Sequence, residues 1–279
     1  MISLEMIKKI ENLVHEKPRS IQELSQLIGK NWRTVDRYVK KIEEDFGTIS
    51  TRIFREGTRG ALKVIYWNPV EFTSKNVFQK SLEKEIMKGR FKEDFSPFDI
   101  FQHVNEKNKQ ATLCKNKNEE EEQVLVLKEI LEKAKKEVLI FSGNLSTIKV
   151  KDNSISFLNM VEDLVNRGVK VRILSRVDIG GKENIQKFLS INFKMGKENI
   201  EIKHAEQPLR GYVVDSKIIR LKEVREPRGR DKELKKRIVI YYTLISKEWA
   251  EWMRKIFYKI FNESVGSSKR MDELNKLDF

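Results

Sequence analysis

Apolar residues recur at helical spacing from the start of the chain, where Ile2, Met6, Ile7, Ile10, Leu13 and Val14 share one face before Pro18 ends the run. Two shorter amphipathic segments follow. In the first, Ser20 can cap a helix with Glu23 completing a capping box, and Gly29 suits a left-handed turn at its end. Asn31 can cap the next helix, in which Val35, Val39 and Ile42 take the core positions. From Thr48 to Trp67 the period changes. Ile-Ser-Thr-Arg-Ile-Phe-Arg and Ala-Leu-Lys-Val-Ile-Tyr-Trp are β-branched and aromatic, and the turn-rich stretch Glu56 to Gly60 between them predicts a hairpin. Three helices followed by a hairpin form the order of a winged helix-turn-helix over residues 1–68.

Periodicity weakens beyond Pro69. Only Val77 to Met87 has helical spacing, and Pro69, Pro97 and the Lys- and Asn-rich run from Glu106 to Asn118 predict a helical, charged linker over 69–118. Phe91, Phe95, Phe98 and Phe101 stand in this polar region with no acid, base or nucleophile pair beside them, which points to packing. From residue 119 the pattern becomes regular: a helix at Gln123 to Lys136, a strand at Val138 to Gly143, a helix at Ser156 to Arg167, a strand at Val169 to Ser175, and a helix around Asn184 to Phe193. Strand-like runs at 200–204, 211–215, 217–221 and 237–245 lead into a last helix from Lys247 to about Asn262, with a polar tail at 266–279. Such alternation predicts an α/β domain over 119–265, so the fold class is α+β and α/β. Ligands of such sheets bind at the carboxyl ends of the strands.

A net charge of +14 calls for an anionic partner, nucleic acid or an anionic membrane surface. No apolar run reaches the roughly 18 residues of a membrane span, and the first helix carries acidic residues unlike a signal peptide, so a soluble, cytoplasmic protein is expected. The single Cys114 cannot form an intrachain disulfide. Three scattered histidines offer no zinc-ligand spacing, and no motif calls for a metal or cofactor. The Lys-, Glu- and Ile-rich composition resembles that of thermophiles, although an AT-rich genome biases a chain similarly.

In a helix-turn-helix the first turns of the second helix face base edges, which places Asn31, Trp32, Arg33, Thr34, Arg37 and Tyr38 at double-stranded DNA, with Lys40 and Lys41 on the same outward side. Trp32 and Tyr38 could equally close the domain core. The hairpin tip would bring Arg55 and Arg59 to phosphate or the minor groove, with Arg52 and Lys63 nearby. The same helical shape also serves protein interaction, but a cationic outward face favours DNA.

The runs Glu-Leu-Ser-Gln-Leu-Ile-Gly at 23–29 and Arg-Thr-Val-Asp-Arg-Tyr at 33–38 resemble the winged helix-turn-helix domains of archaeal and bacterial transcription regulators. Over about 120–265 the order of elements resembles the phospholipase D-like α/β sandwich, in the form found behind winged helices in TrmB-type archaeal regulators. Its markers are Arg-Gly-Val-Lys-Val-Arg-Ile-Leu-Ser at 167–175, Asp215 after a strand, and Ser-Lys-Glu-Trp-Ala-Glu-Trp at 246–252 leading into Ile256-Phe257-Tyr258. Enzymes of that fold use a histidine, a lysine five residues before an aspartate, and a covalent phospho-histidine, with two motif copies facing each other. Setting Asp215 on the family aspartate puts Arg210 at the lysine position and Pro208 at the histidine position. Proline cannot attack phosphorus, so the resemblance implies a catalytically degenerate domain in which Arg210 could still bind an anion. His204 is the one alternative nucleophile.

One motif remnant per chain implies a homodimer, which suits a palindromic operator. By the same resemblance the domain would dimerise and bind a small-molecule effector. Candidate contacts are Ser142 and Asn144 after the first strand, Ser175 and Arg176 after the second, and His204 and Arg210; a serine or asparagine there can equally cap the following turn. The insertion Lys222 to Arg237, with eight basic residues against four acidic, reads as a solvated loop or a phosphate-contacting arm. The expected function is a sequence-specific, dimeric transcription regulator. The alternatives are a nuclease or phosphodiesterase delivered to DNA by the winged helix, and a sequence-tolerant architectural protein.

Overall fold

The computed structural model describes residues 2–46, 48–55, 61–67, 75–146, 151–152, 155–227 and 236–276. The chain divides into two units, Met1–Lys80 with Arg225–Ile238 and Ser81–Val224 with Val239–Phe279.

In the first unit, α1 (Leu4–Glu16), α2 (Ile21–Ile28) and α3 (Trp32–Asp45) accompany an antiparallel sheet of order β1-β3-β2, made of β1 (Arg19–Ser20), β2 (Ile49–Arg55) and β3 (Ala61–Trp67). The local signals act as expected. Ser20 Oγ accepts from Glu23 N at 3.1 Å while the Glu23 carboxylate accepts from Ser20 N at 2.7 Å, and Gly29 ends α2 at φ 71°. Ile10, Leu24, Val35, Val39, Ile42, Ile49 and Ile65 are completely buried together, each contributing on the order of 1.5–3 kcal/mol. Two carboxylates of α3 tie it to the hairpin: Glu43 accepts from Thr51 N at 2.9 Å, and Asp36 accepts from Lys63 Nζ at 2.8 Å. Strand β1 goes beyond the expected hairpin. It pairs Arg19 with Ile65 and Ser20 with Val64, and two residues are too few to carry a readable period.

The second unit is built on an eight-stranded mixed sheet of order β13-β9-β8-β5-β10-β11-β12-β4. Three parallel strands, β5 (Glu137–Phe141), β8 (Lys170–Ser175) and β9 (Ile200–His204), adjoin an antiparallel run of β10 (Gly211–Val214), β11 (Ile218–Arg225), β12 (Ile238–Ile245) and β4 (Lys109–Cys114). Strand β13 (Val265–Gly266) pairs antiparallel with β9, and β6 (Lys151–Asp152) and β7 (Ile155–Ser156) form a separate small ladder. Alternation along the strands sends Val138, Ile140, Val171 and Ile173 into one core with α6 (Lys117–Glu132), α7 (Phe157–Asn166) and α8 (Lys182–Met195). Phe141 points to the other face, edge-on to Phe257 of α9 (Lys247–Glu263) at 5.1 Å.

The expected linker over 69–118 differs from what is observed. Within it lie α4 (Lys75–Lys88), where the helical spacing of Val77 to Met87 placed a helix, then α5 (Phe98–Phe101) and β4, and β4 supplies the sheet's last strand, in register with β12 from Lys109↔Leu244 to Cys114↔Val239. As an edge strand with only Cys114 fully buried, it shows no apolar alternation. Phe95, Phe98 and Phe101 are buried as packing residues, with Phe101 5.1 Å from Tyr242, whereas Phe91 is exposed. The acidic block Glu119 to Glu122 lies in the first turns of α6, where the helix dipole favours carboxylates and Asn116 accepts from Glu119 N. The polar tail likewise contains a helix, α10 (Ser267–Asn275), which lays Met271 and Leu274 against the core. Among the described residues, no helix is long and apolar enough to cross a membrane.

Candidate functional site

Helix α3 has one buried and one cationic side. Val35, Val39 and Ile42 face the core, while Arg33, Arg37, Lys40 and Lys41 are exposed. Asn31 Oδ1 accepts from Arg33 N at 2.9 Å, which fixes the helix start and the direction in which the first turn presents its side chains. Arg33 and Arg37 make no ion pair with a described carboxylate. Lys40 lies 3.9 Å from the half-buried Asp36, and Lys41 lies 3.7 Å from Asp45, an exposed pair that water and salt screen. Trp32 and Tyr38 are half-buried and pack against the core of the unit, each with an arginine over its ring: Arg33 at 5.6 Å and Arg37 at 5.9 Å. Thr34 is half-buried in the same first turn.

On the hairpin, Arg52 is half-buried and sits over Phe54 at 5.8 Å, and the Lys63 charge is answered by Asp36. Arg55 ends β2, and Arg59 lies outside the described residues, as do Arg228, Arg230, Lys232 and Lys235 of the basic insertion.

The second unit contains a cavity of about 680 Å³ between α6, the carboxyl end of β5, and strands β10 to β12. It gathers three of the expected effector contacts, Ser142, Asn144 and Arg210, and leaves out Ser175, Arg176 and His204. Each outlier has an internal role. The Arg176 guanidinium pairs with Asp178 at 2.8 Å, and His204 Nδ1 accepts from Val177 N at 2.9 Å. That acceptor role needs the neutral ring, and burial, reinforced by Arg270, holds the His204 pKa below its ordinary value. Ser175 is buried and donates to Gly143 O at 3.2 Å, as strand-end serines commonly do.

At the cavity wall, Ser142 Oγ accepts from Leu145 N, and Leu145 is held at φ 56°, a conformation rare for leucine. Arg210 Nη1 donates to the carbonyls of Gln207 and Leu209, while Nε and Nη2 lie against Gly143, where an added Cβ would come within 3.0 Å of each. Burial, with the nearby Arg176 charge, lowers its pKa.

Sequence reading missed Arg220, the most buried charge of the cavity at 3% exposure. Its guanidinium donates to Thr243 Oγ1 and Gln123 Oε1, both at 2.8 Å. The one available signal was a basic residue inside the apolar run Ile218-Ile219-Arg220-Leu221.

The residues aligned with the phospholipase D-like motif do not converge. Pro208 is buried against Gly89, where an added Cβ would lie 2.8 Å from the proline Cγ. Asp215 closes the β10–β11 turn at φ 49°, at the far end of β10 from Arg210, and its carboxylate accepts from the backbone N–H groups of Lys135, Lys136 and Glu137 at 2.7, 2.8 and 3.0 Å. Those three bonds give it a structural role at the start of β5.

No protein-family model and no curated protein matches the sequence. Solved structures that align with it include Nuc, a phospholipase D family member from Salmonella typhimurium, at 10% identity over 57% of this chain and 97% of that one, with a TM-score of 0.40. NucT from Helicobacter pylori aligns at 14% identity over 57% of this chain and 99% of that one, with a TM-score of 0.39. TrmBL2, an archaeal chromatin protein with a novel mode of DNA binding, aligns at 13% identity over 89% of this chain and 88% of that one, with a TM-score of 0.40. Likeness at this level assigns no activity to the chain.

Proposed function

We propose that this protein is a sequence-specific DNA-binding transcription regulator, acting in the cytoplasm, that reads double-stranded DNA through α3 in the manner of a winged helix-turn-helix. Its second unit serves as a catalytically degenerate dimerisation and ligand-sensing domain. The observation that carries this reading is the outward side of α3, where Arg33 and Arg37 stand exposed on a capped helix with no described carboxylate to neutralise them. Exposed, unpaired guanidiniums one turn apart suit bidentate contact with base edges and phosphates. Two further observations support a non-catalytic second unit: a buried proline at the position where the resemblance calls for a nucleophile, and a His204 whose Nδ1 is taken by a backbone N–H. The single motif remnant favours pairing of two copies, which light scattering on the purified chain tests directly.

Anisotropy titration on the gene's own upstream region and on a scrambled duplex of equal length, at two salt concentrations, tests the function. A preference of about 10³-fold or more with intact DNA is expected. Equal affinities that collapse with salt would replace the regulator by a sequence-tolerant architectural protein. Cleaved DNA would bring forward the nuclease reading.

A further inference from the structure

We propose that the cavity of the second unit takes a small anionic amphiphile, a molecule with a carboxylate or phosphate head and an apolar body, whose head is held by Arg220. This deepens the ligand-sensing half of the proposed function and rests on that reading.

The charge balance at Arg220 is the central observation. The side chain is 3% exposed on β11, and its two hydrogen-bond partners, Thr243 and Gln123, are neutral. The ring of Tyr241 lies under it at 4.9 Å. None of the described carboxylates pairs with it, whereas the other cation of β11 at the cavity, Lys222, reaches Glu120 at 3.1 Å. Neutral acceptors satisfy the geometry of a guanidinium but leave its charge uncompensated, and a buried charge without a counter-charge is a costly element to retain. An anion entering the cavity supplies the missing charge.

Cavity shape narrows the class. Arg210 lines the same space, a second guanidinium charge beside Arg220 for an anionic head. One stretch of the wall is apolar, formed by Val124, Leu127, Ile140, Leu145 and Phe157, and a fully hydrated ion would leave it uncovered. A volume of about 680 Å³ admits a molecule of drug size. Glu120 and Glu121 at the α6 side act against an extended polyanion.

The test is calorimetric titration of the full chain with three probes of one body size, 2-naphthoate, 2-naphthyl phosphate and the neutral 2-naphthylmethanol, repeated on Arg220→Met and Arg210→Gln. At least one anion should bind tenfold or more tighter than the alcohol, and the preferred head distinguishes a carboxylate from a phosphate ligand. Arg220→Met should weaken that anion tenfold or more and leave the alcohol unchanged. Arg210→Gln, at a less buried position, should weaken it as well and keeps the test open if the first variant misfolds. Binding of the alcohol as tight as that of both anions, or anion affinity unchanged in either folded variant, would overturn the anionic class while leaving a ligand site in place. Absence of binding by all three probes to the folded parent would overturn the ligand-sensing reading itself.

Discussion

Replacing Arg33 and Arg37 together by alanine is the sharpest perturbation of the proposed DNA interface. The two are four residues apart, so at about 1.5 Å rise per residue their Cα atoms stand about 6 Å apart along the axis, close to two base steps of about 3.4 Å. A bidentate base contact contributes about 1–3 kcal/mol of discrimination, so losing two should cost about 2–6 kcal/mol, or roughly 30-fold to more than 10⁴-fold in affinity for a true site. Were both to contact only phosphate, the loss would be uniform across sequences, and the slope of log affinity against log salt would become shallower by about 1.8. Both side chains are exposed and alanine is the better helix former, so the fold should be retained. Anisotropy titration at four salt concentrations, on cognate and scrambled duplexes, separates the two modes. A folded double variant with parental affinity and parental salt slope on both duplexes would refute the assignment of α3.

Three further outcomes are expected. Burial, with the Lys109 charge adding to it, lowers the His103 pKa to about 4, against about 6.5 in the unfolded chain. The unfolded state therefore binds its proton first, and stability present above pH 6.5 should be lost between 6.5 and about 4, by up to about 3 kcal/mol; urea unfolding at several pH values reads this, and an equal pH slope in His103→Gln would count against it. Asp215→Ala leaves three backbone N–H groups without their acceptor and should destabilise by about 1–3 kcal/mol without changing DNA affinity, so a urea midpoint equal to the parent's would remove the structural role. Cys114 is buried with its thiol pKa pushed up to about 11, largely by burial, so only about one part in 10³ is thiolate at pH 8. Its reaction with 5,5′-dithiobis(2-nitrobenzoate) should be at least 100-fold slower in native protein than in urea, and comparable rates would show the site to be open.

What could be read from sequence was local. Ser20, Glu23, Gly29 and Asn31 each specify a backbone conformation through their own side chain or its absence, and all four act as their types suggest. Strands β5, β8 and β12 announced themselves by runs of buried β-branched residues. What escaped depends on distant partners. Strand β4 becomes a strand because β12 offers it an edge, and α10 is ordered by the core that Met271 and Leu274 meet, so neither carries a pattern of its own. Asp215 matched a motif, yet its three backbone bonds fall to residues about 80 positions earlier in the chain. Arg220 was hidden for a similar reason. In a strand its neighbours say only that it is buried, and whether a buried cation is neutralised depends on residues such as Gln123 and Thr243 that no local window contains.

The contact between Pro208 and Gly89 bears on engineering. With a hypothetical Gly89 Cβ only 2.8 Å from the proline Cγ, the space over position 208 is already filled. Writing a histidine there, the obvious single change toward a phosphodiesterase nucleophile, would force a larger ring against the backbone beyond α4. Accommodating that ring would demand a second change that moves this backbone, and the variant carrying only the first should be less stable. Packing alone thus opposes a nucleophile at this position, whatever chemistry the remaining residues could support.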